Sequence, residues 1–279
     1  MFFEFIVVLL SLTNAIVAPF TYWPIRDGYD FYIPIIIFVG TYILSLLLLI
    51  LYLQIAGMIV LRIRKIHPTG KYSEAFARFN LAEAIAIICF HVRIKTRTKG
   101  NAKLPKKERF LFVCNHRSNF DPMITIDELR HYKIDFVTKT SNMKIPLAKN
   151  FLKSLNFLAI DREDRMQSLQ TMNKAIKLIQ DGVCSIGIYP EGTRSHQSEM
   201  LPFHEGVFSI ALKAKCPLVI ATVRNTEQIH KRFPRVTRVN HDIVNVIPYE
   251  ELEGKTPKAI ADMVKEIMQN NLSRYELHE

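Results

Sequence analysis

The 279-residue chain is 49% apolar and 23% charged, which excludes an intrinsically disordered polymer, and its 10 glycines exclude a collagen-like repeat. Lys+Arg number 37 against 26 Asp+Glu, a formal charge of +11 that points to nucleic acid, a membrane surface or a phosphorylated substrate as partner. Cys89, Cys114, Cys184 and Cys216 lie far apart with no C-x-x-C pair, which excludes a disulfide scaffold and reads as small buried apolar residues in a reducing compartment.

The apolar content concentrates at the amino end. No charged residue occurs from Phe5 to Ile25, and a second charge-free run extends from Phe31 to Leu61. Roughly 20 apolar residues cross a hydrocarbon core of ~30 Å, so the first run just spans, and the second must tilt or continue beyond the bilayer. Asn14, Pro19, Pro24 and Pro34 weaken the first run and set the turn between the two, and Arg26 to Asp30 form a polar loop. A cleaved signal peptide calls for a basic start, and Met1-Phe2-Phe3-Glu4 supplies none. Arg62, Arg64, Lys65, Lys71 and Arg78 follow the second run, so the positive-inside rule places that end in the cytoplasm. The expected organisation is two membrane-anchoring helices in residues 1–65 and a cytoplasmic domain in residues 66–279.

Within that domain, strand candidates are Phe110 to Cys114, Ile134 to Val137, Phe157 to Ile160, Val183 to Tyr189, Pro217 to Val223 and Ile243 to Ile247. Helix candidates lie near 122–131, 145–154, 165–181, 204–215 and 256–272. In the third of these, Leu169, Met172, Ile176 and Ile179 keep helical spacing, and Asp181-Gly182 stops it. Alternation of strand and helix reads as an α/β fold with a mostly parallel sheet and flanking helices.

One segment differs. From His91 to Lys99 basic residues alternate with Val92, Ile94, Thr96 and Thr98, and Lys103, Lys106, Lys107 and Arg109 follow. A solvated strand face is the ordinary reading of such a run. On a membrane-tied domain, contact with anionic membrane lipids is favoured, since each Lys or Arg near such a surface is worth ~1 kcal/mol. No recognition helix or stacking aromatic is interleaved, so nucleic acid is not expected.

Three strand candidates end in polar clusters. The first runs into Asn115-His116-Arg117-Ser118-Asn119-Phe120-Asp121-Pro122, with Asp121-Pro122 reading as a helix start. A carboxylate brought back onto one ring nitrogen of His116 fixes its tautomer and leaves the other free to take a proton from a hydroxyl. Alone, this is equally a surface histidine beside a capping aspartate. The second cluster is Tyr189-Pro190-Glu191-Gly192-Thr193-Arg194-Ser195, whose Pro and Gly positions suit a type I turn and whose Arg194 offers a planar fork for phosphate oxygens. The third is Ile160-Asp161-Arg162, otherwise a surface ion pair. In a parallel sheet all three ends fall on one edge, where α/β folds bind ligands. The nine histidines form no H-x-x-x-H pair, so no metal is expected.

Asn115-His116 to Asp121 resembles the N-H-x-x-x-x-D signature of the glycerolipid acyltransferases, specifically the 1-acyl-sn-glycerol-3-phosphate acyltransferase family. Tyr189 to Ser195 resembles that family's F-P-E-G-T-R-S block with Tyr for Phe, and Ile160-Asp161-Arg162 its I-D-R block. Leu201 to Phe208 and Lys215 to Val219 resemble its P-F-K-x-G-x-F and P-I-V-P-V region. Three positions depart from the pattern: Asn156 for a Gly before I-D-R, Ala221 for the second Pro, and His204 for a Lys.

The resemblance implies transfer of a fatty acyl group from acyl-CoA or acyl carrier protein, as substrate and not cofactor, to the sn-2 hydroxyl of lysophosphatidic acid. His116 would be the general base and Asp121 its orienting partner. Glu191, Gly192 and Thr193 would shape the acceptor site. Arg162 and Arg194 would hold the phosphate, with Lys139 a further candidate, and no cofactor is implied. An acyltransferase for another lysophospholipid or glycerol 3-phosphate, and a non-enzymatic membrane tether, are the alternatives. Cys114 reads as a buried strand residue, with nothing cationic nearby in sequence to lower its pKa.

Overall fold

The computed structural model describes residues 2–22, 32–68, 70–195 and 199–276. Pro24 and the expected polar loop from Arg26 to Asp30 lie outside these residues. In chain order the elements are α1 (Phe2–Tyr22), α2 (Tyr32–Ile66), α3 (Lys71–His91), β1 (Ile94–Lys99), β2 (Leu111–Cys114), α4 (Phe120–Glu128), β3 (Ile134–Lys139), α5 (Lys149–Ser154), β4 (Leu158–Ile160) and α6 (Arg165–Gln180). They continue with β5 (Ser185–Ile188), α7 (Ser209–Ala214), β6 (Leu218–Arg224), α8 (Ile229–Arg232), β7 (Thr237–Ile247), α9 (Tyr249–Leu252) and α10 (Pro257–Glu276).

Two compact units divide the chain. The first holds Met1–Ile87 and Pro146–Ser154. In it α1 lies along α2, and Phe3 meets Tyr52 and Phe79 edge-on at 5.5 and 5.7 Å between ring centres. Glu83 accepts the backbone N–H groups of Phe2 and Phe3 at the exposed start of α1, where those donors have no helical partner. Arg64 near the end of α2 donates to the Ser154 carbonyl at 2.8 Å, tying α2 to α5. Ile35–Ile66 is long and apolar enough to cross a membrane, with a mean hydropathy of 2.7, and it exposes Ile36, Leu44, Leu47 and Leu48. Over the described side chains the first run yields a shorter apolar helix, Phe2–Val17.

The second unit holds Ile88–Ile145 and Leu155–Glu279. Among the described residues it is built on a seven-stranded sheet of order β1-β7-β6-β2-β5-β3-β4. β6, β2, β5, β3 and β4 are parallel, β7 runs antiparallel to β6, and β1 pairs parallel with β7. The expected α/β fold with a mostly parallel sheet and flanking helices is therefore present. Strand periodicity explains how two cores form around it. Leu111 and Val113 of β2 join Leu218, Ile220, Ile186 and Ile188 under α6, α7 and α10. Phe110, Phe112 and Cys114 point the other way and join Phe136, Val219 and Ile124 under α4. Gly187 of β5 lies opposite Phe136 of β3, and a Cβ there would sit 2.3 Å from the Phe136 ring, so only glycine lets that ring lie across the sheet.

Local chemistry sets the helix ends. Asp164 caps α6 by accepting the Gln167 N–H at 2.9 Å, and Gly182 follows its end at φ +67. The stripe α6 buries is Thr171, Ala175, Ile176 and Ile179; Leu169, expected on it, is exposed. The helix starts where expected, but Gln167 and Thr171 both donate to the Ala159 carbonyl and turn that face toward β4, which leaves Leu169 outside the buried stripe. The basic segment forms β1 from Ile94 onward, with the expected alternation: Lys95, Arg97 and Lys99 are exposed, and Ile94, Thr96 and Thr98 are half-buried.

Candidate active site

The carboxyl ends of β2, β5, β3 and β4 stand side by side on one edge of the sheet, so the three polar clusters share that edge. At the end of β2, Asn115 is buried and its side-chain amide mimics a peptide group. It donates to the Val223 carbonyl at 3.0 Å and accepts the Val223 N–H at 2.8 Å, prolonging the β2–β6 ladder by one rung. The chain then leaves the sheet at His116.

His116 and Asp121 come together. His116 Nδ1 lies 2.8 Å from Asp121 Oδ2, and Asp121 is fully buried. The same oxygen accepts the N–H groups of Arg117 (2.6 Å) and Ser118 (2.8 Å), so the loop folds around one carboxylate oxygen. Asp121 is not the helix cap its sequence context suggests. Asn119 occupies that position, without a side-chain capping bond, because Asp121 lies in the first turn of α4 and aims its carboxylate back along the loop. The His116 ring stacks on Tyr189 at 4.5 Å, and Tyr189 stacks on Phe136 at 5.8 Å. With Nδ1 facing the carboxylate, Nε2 is the nitrogen left to accept a proton.

Glu191 is buried and joins the loops after β2 and β5. Its Oε1 accepts the His116 N–H at 2.7 Å and its Oε2 the Leu201 N–H at 2.9 Å. Burial raises its pKa, and these two backbone donors act against the rise. The Ser195 N–H in turn donates to the His116 carbonyl at 2.8 Å. The expected turn is present: Gly192 N–H donates to the Tyr189 carbonyl at 3.0 Å, with Gly192 at φ +72. A Cβ on Gly192 would fall 2.6 Å from His204 Nε2 and 3.8 Å from the guanidinium carbon of Arg162. The positive φ calls for glycine here; a side chain would also displace the end of His204, while Arg162 stands at ordinary contact distance.

Arg162 reaches Gly192 from the loop after β4, is exposed, and is lowered in pKa by partial burial. Thr193 and Arg194 are exposed beyond the turn, and Lys139 is exposed at the end of β3, paired in register with Ile160. The backbone N–H groups of Arg117, Ser118, Asp121 and Gly192 are all engaged within the loops. Asn156 donates through both its backbone and side chain to the buried Asp135 of β3, at 3.1 and 3.2 Å. Two groups were not anticipated. Buried His241 of β7 lies 3.3 Å from Thr125, and Arg117 pairs with Glu227 at 3.2 Å. Neither shows a local sequence signal, since each contact spans more than a hundred residues. Cys114 is fully buried, and burial drives its thiol pKa well up.

A family model described as "Acyltransferase" matches residues 95–242. A chloroplastic 1-acyl-sn-glycerol-3-phosphate acyltransferase of Brassica napus is 28% identical over 195 residues, covering 69% of this chain and 55% of the relative. The Saccharomyces cerevisiae protein of the same enzyme name is 26% identical, over 67% of this chain and 64% of its own length. The match thus spans less than two thirds of these two relatives. The crystal structure of the LPA acyltransferase PlsC from Thermotoga maritima superposes with a TM-score of 0.64 at 20% identity, covering 82% of this chain and 95% of that one. This likeness supports the fold.

Proposed function

The chain belongs to the acyltransferase family, and on that footing we propose that it transfers a fatty acyl group from a thioester to the sn-2 hydroxyl of lysophosphatidic acid, giving phosphatidic acid. The observation that carries this reading is the 2.8 Å pairing of His116 with buried Asp121 on the sheet edge shared with Gly192 and Arg162. His116 Nε2 takes the proton of the acceptor hydroxyl as its oxygen attacks the thioester carbonyl. The thiolate leaves, and the proton is available to it from the imidazolium. General base help of this kind is typically worth about 10²–10⁴ in rate. Asp121 holds the ring and stabilises its charged form. Arg162 and Arg194, with Lys139 near the next strand end, hold the acceptor phosphate and so fix the hydroxyl, which lowers the entropic cost of reaction.

The acyl donor in this reading is acyl-CoA or acyl carrier protein. The names of the relatives support the acceptor, and the intact His116–Asp121 pair argues against a non-enzymatic tether. The apolar helices at the amino end anchor the chain in a membrane. We propose two spans and a cytoplasmic catalytic domain, supported by the cluster Arg62, Arg64 and Lys65 at the end of α2.

Purified full-length chain, labelled acyl-CoA or acyl carrier protein, and a panel of acceptors test the reading. Transfer to lysophosphatidic acid is expected. Transfer confined to another lysophospholipid or to glycerol 3-phosphate shifts the acceptor, and no transfer to any of them overturns it.

A further inference from the structure

We infer that the segment Ile229 to Arg238, with the start of β1, is a docking surface for an anionic phospholipid bilayer, set on the same sheet edge as His116. The topology places it there. β6 runs parallel to β2, so the chain emerges from β6 at the edge where β2 delivers His116. β7 is antiparallel to β6 and therefore begins at that edge, and β1 pairs parallel with β7, so β1 begins there too. The Thr237 N–H donates to the Arg93 carbonyl, and Lys95 lies in register with Arg238.

Arg93, Lys95, Lys231, Arg232, Arg235 and Arg238 are all exposed along this stretch. Like charges facing each other across a strand pair, as Lys95 and Arg238 do, work against the sheet in water. An anionic surface removes that cost. Phe233 stands among them, 57% exposed. A single exposed phenylalanine is ordinary on a protein surface, but one flanked in sequence by exposed Lys231, Arg232 and Arg235 has the composition of a membrane-interfacial loop. The ring enters the boundary between headgroups and acyl chains, and the cations meet lipid phosphates.

This segment also touches the catalytic loop. Glu227 pairs with Arg117 at 3.2 Å, and the His230 ring lies 5.2 Å from that of Phe120. Docking therefore presents the His116 edge to the surface that holds a lipid acceptor. That last step rests on the function proposed above; the docking itself does not. A bilayer is favoured over nucleic acid because Ile35–Ile66 is long and apolar enough to cross a membrane, and because the segment holds no second Phe, Tyr or Trp to form a stacking platform with Phe233, its His230 ring lying against Phe120. The lysines earlier grouped with β1 do not share the surface. Lys103, Lys106 and Lys107 follow the opposite end of the strand, and Lys103 donates to the Val244 carbonyl at 2.8 Å.

The test uses the full chain reconstituted in vesicles, with its single tryptophan removed as Trp23→Phe and a reporter introduced as Phe233→Trp. No acyl donor is present, so this result and the turnover result can fail separately. In vesicles containing phosphatidylglycerol, lipids brominated near the top of the acyl chain should quench the new indole. Quenching should be lost in pure phosphatidylcholine, in about 1 M salt, where the Debye length falls to about 3 Å, and when Arg93, Lys95 and Arg238 are changed together to Gln. Quenching that ignores lipid charge, absence of quenching throughout, or an emission shift caused by an oligonucleotide but not by anionic vesicles would overturn the inference.

Discussion

The backbone N–H of His116 donates to Oε1 of Glu191 at 2.7 Å, so a buried carboxylate fastens the loop after β2 to the loop after β5. The other oxygen of Glu191 holds the Leu201 N–H. A carboxylate is required because it is acceptor-only, whereas an amide would turn its NH2 against one of these two donors. Glu191→Gln should therefore orphan one buried donor, at a cost of about 1–3 kcal/mol. Steady-state kinetics should show the loss mainly in kcat, through misplacement of His116, with a small change in acceptor KM. A loss confined to acceptor KM would make Glu191 a substrate contact instead.

His241 provides a pH test. Burial pulls its pKa from 6.5 down to about 4, and its ring stacks on Phe112 in the core. Between these two values the unfolded chain binds a proton that the folded chain does not. Stability thus rises with pH through the window and falls as pH drops from 6.5 toward 4. The loss is on the order of 3 kcal/mol. Unfolding of detergent-solubilised wild type should lose its stability margin over His241→Gln as pH falls through this range. A margin independent of pH would contradict the assignment.

Cys114 lies two residues before His116, yet it is fully buried with its thiol pKa raised, so it cannot serve as a thiolate nucleophile. Transfer should be direct. Cys114→Ala should keep most of the activity, and initial-rate plots should follow a sequential pattern. Ping-pong kinetics or an acyl adduct trapped on Cys114 would show otherwise.

Arg162 lies beside Gly192, and Arg194 follows the same turn. Losing one charge-assisted hydrogen bond costs about 1.5–3 kcal/mol, or about ten- to a hundredfold. Arg162→Lys or Arg194→Lys should raise the acceptor KM on that scale while the acyl-donor KM stays nearly constant. Changes confined to the acyl donor would reassign both arginines.

Much of this site was legible in the sequence because the relevant signals are local. Buried strands such as Phe110 to Cys114 announce themselves by composition, and each ends in its polar cluster, so a parallel sheet brings the clusters together. The pairing of His116 with Asp121 needs one loop of five residues. What was not legible depends on distant partners. Asn115 reads as a loop residue until β6 brings Val223 to its amide. Asn156, a departure from the family pattern, makes sense beside the buried carboxylate of Asp135. Asp121 looks like a helix cap, and only the folded loop shows that Asn119 takes that position and that the Asp121 oxygen facing His116 also holds the Arg117 and Ser118 N–H groups. The exposed Leu169 shows the limit of periodicity, since hydrogen bonds to the Ala159 carbonyl set how α6 turns on the sheet.

The most direct measurement is turnover of purified, folded His116→Ala with acyl-CoA and lysophosphatidic acid, beside wild type and Asp121→Asn. The dyad predicts a loss of at least about 10³ for His116→Ala and a smaller but still heavy loss for Asp121→Asn. Near-normal turnover by folded His116→Ala would contradict the role of His116 as general base.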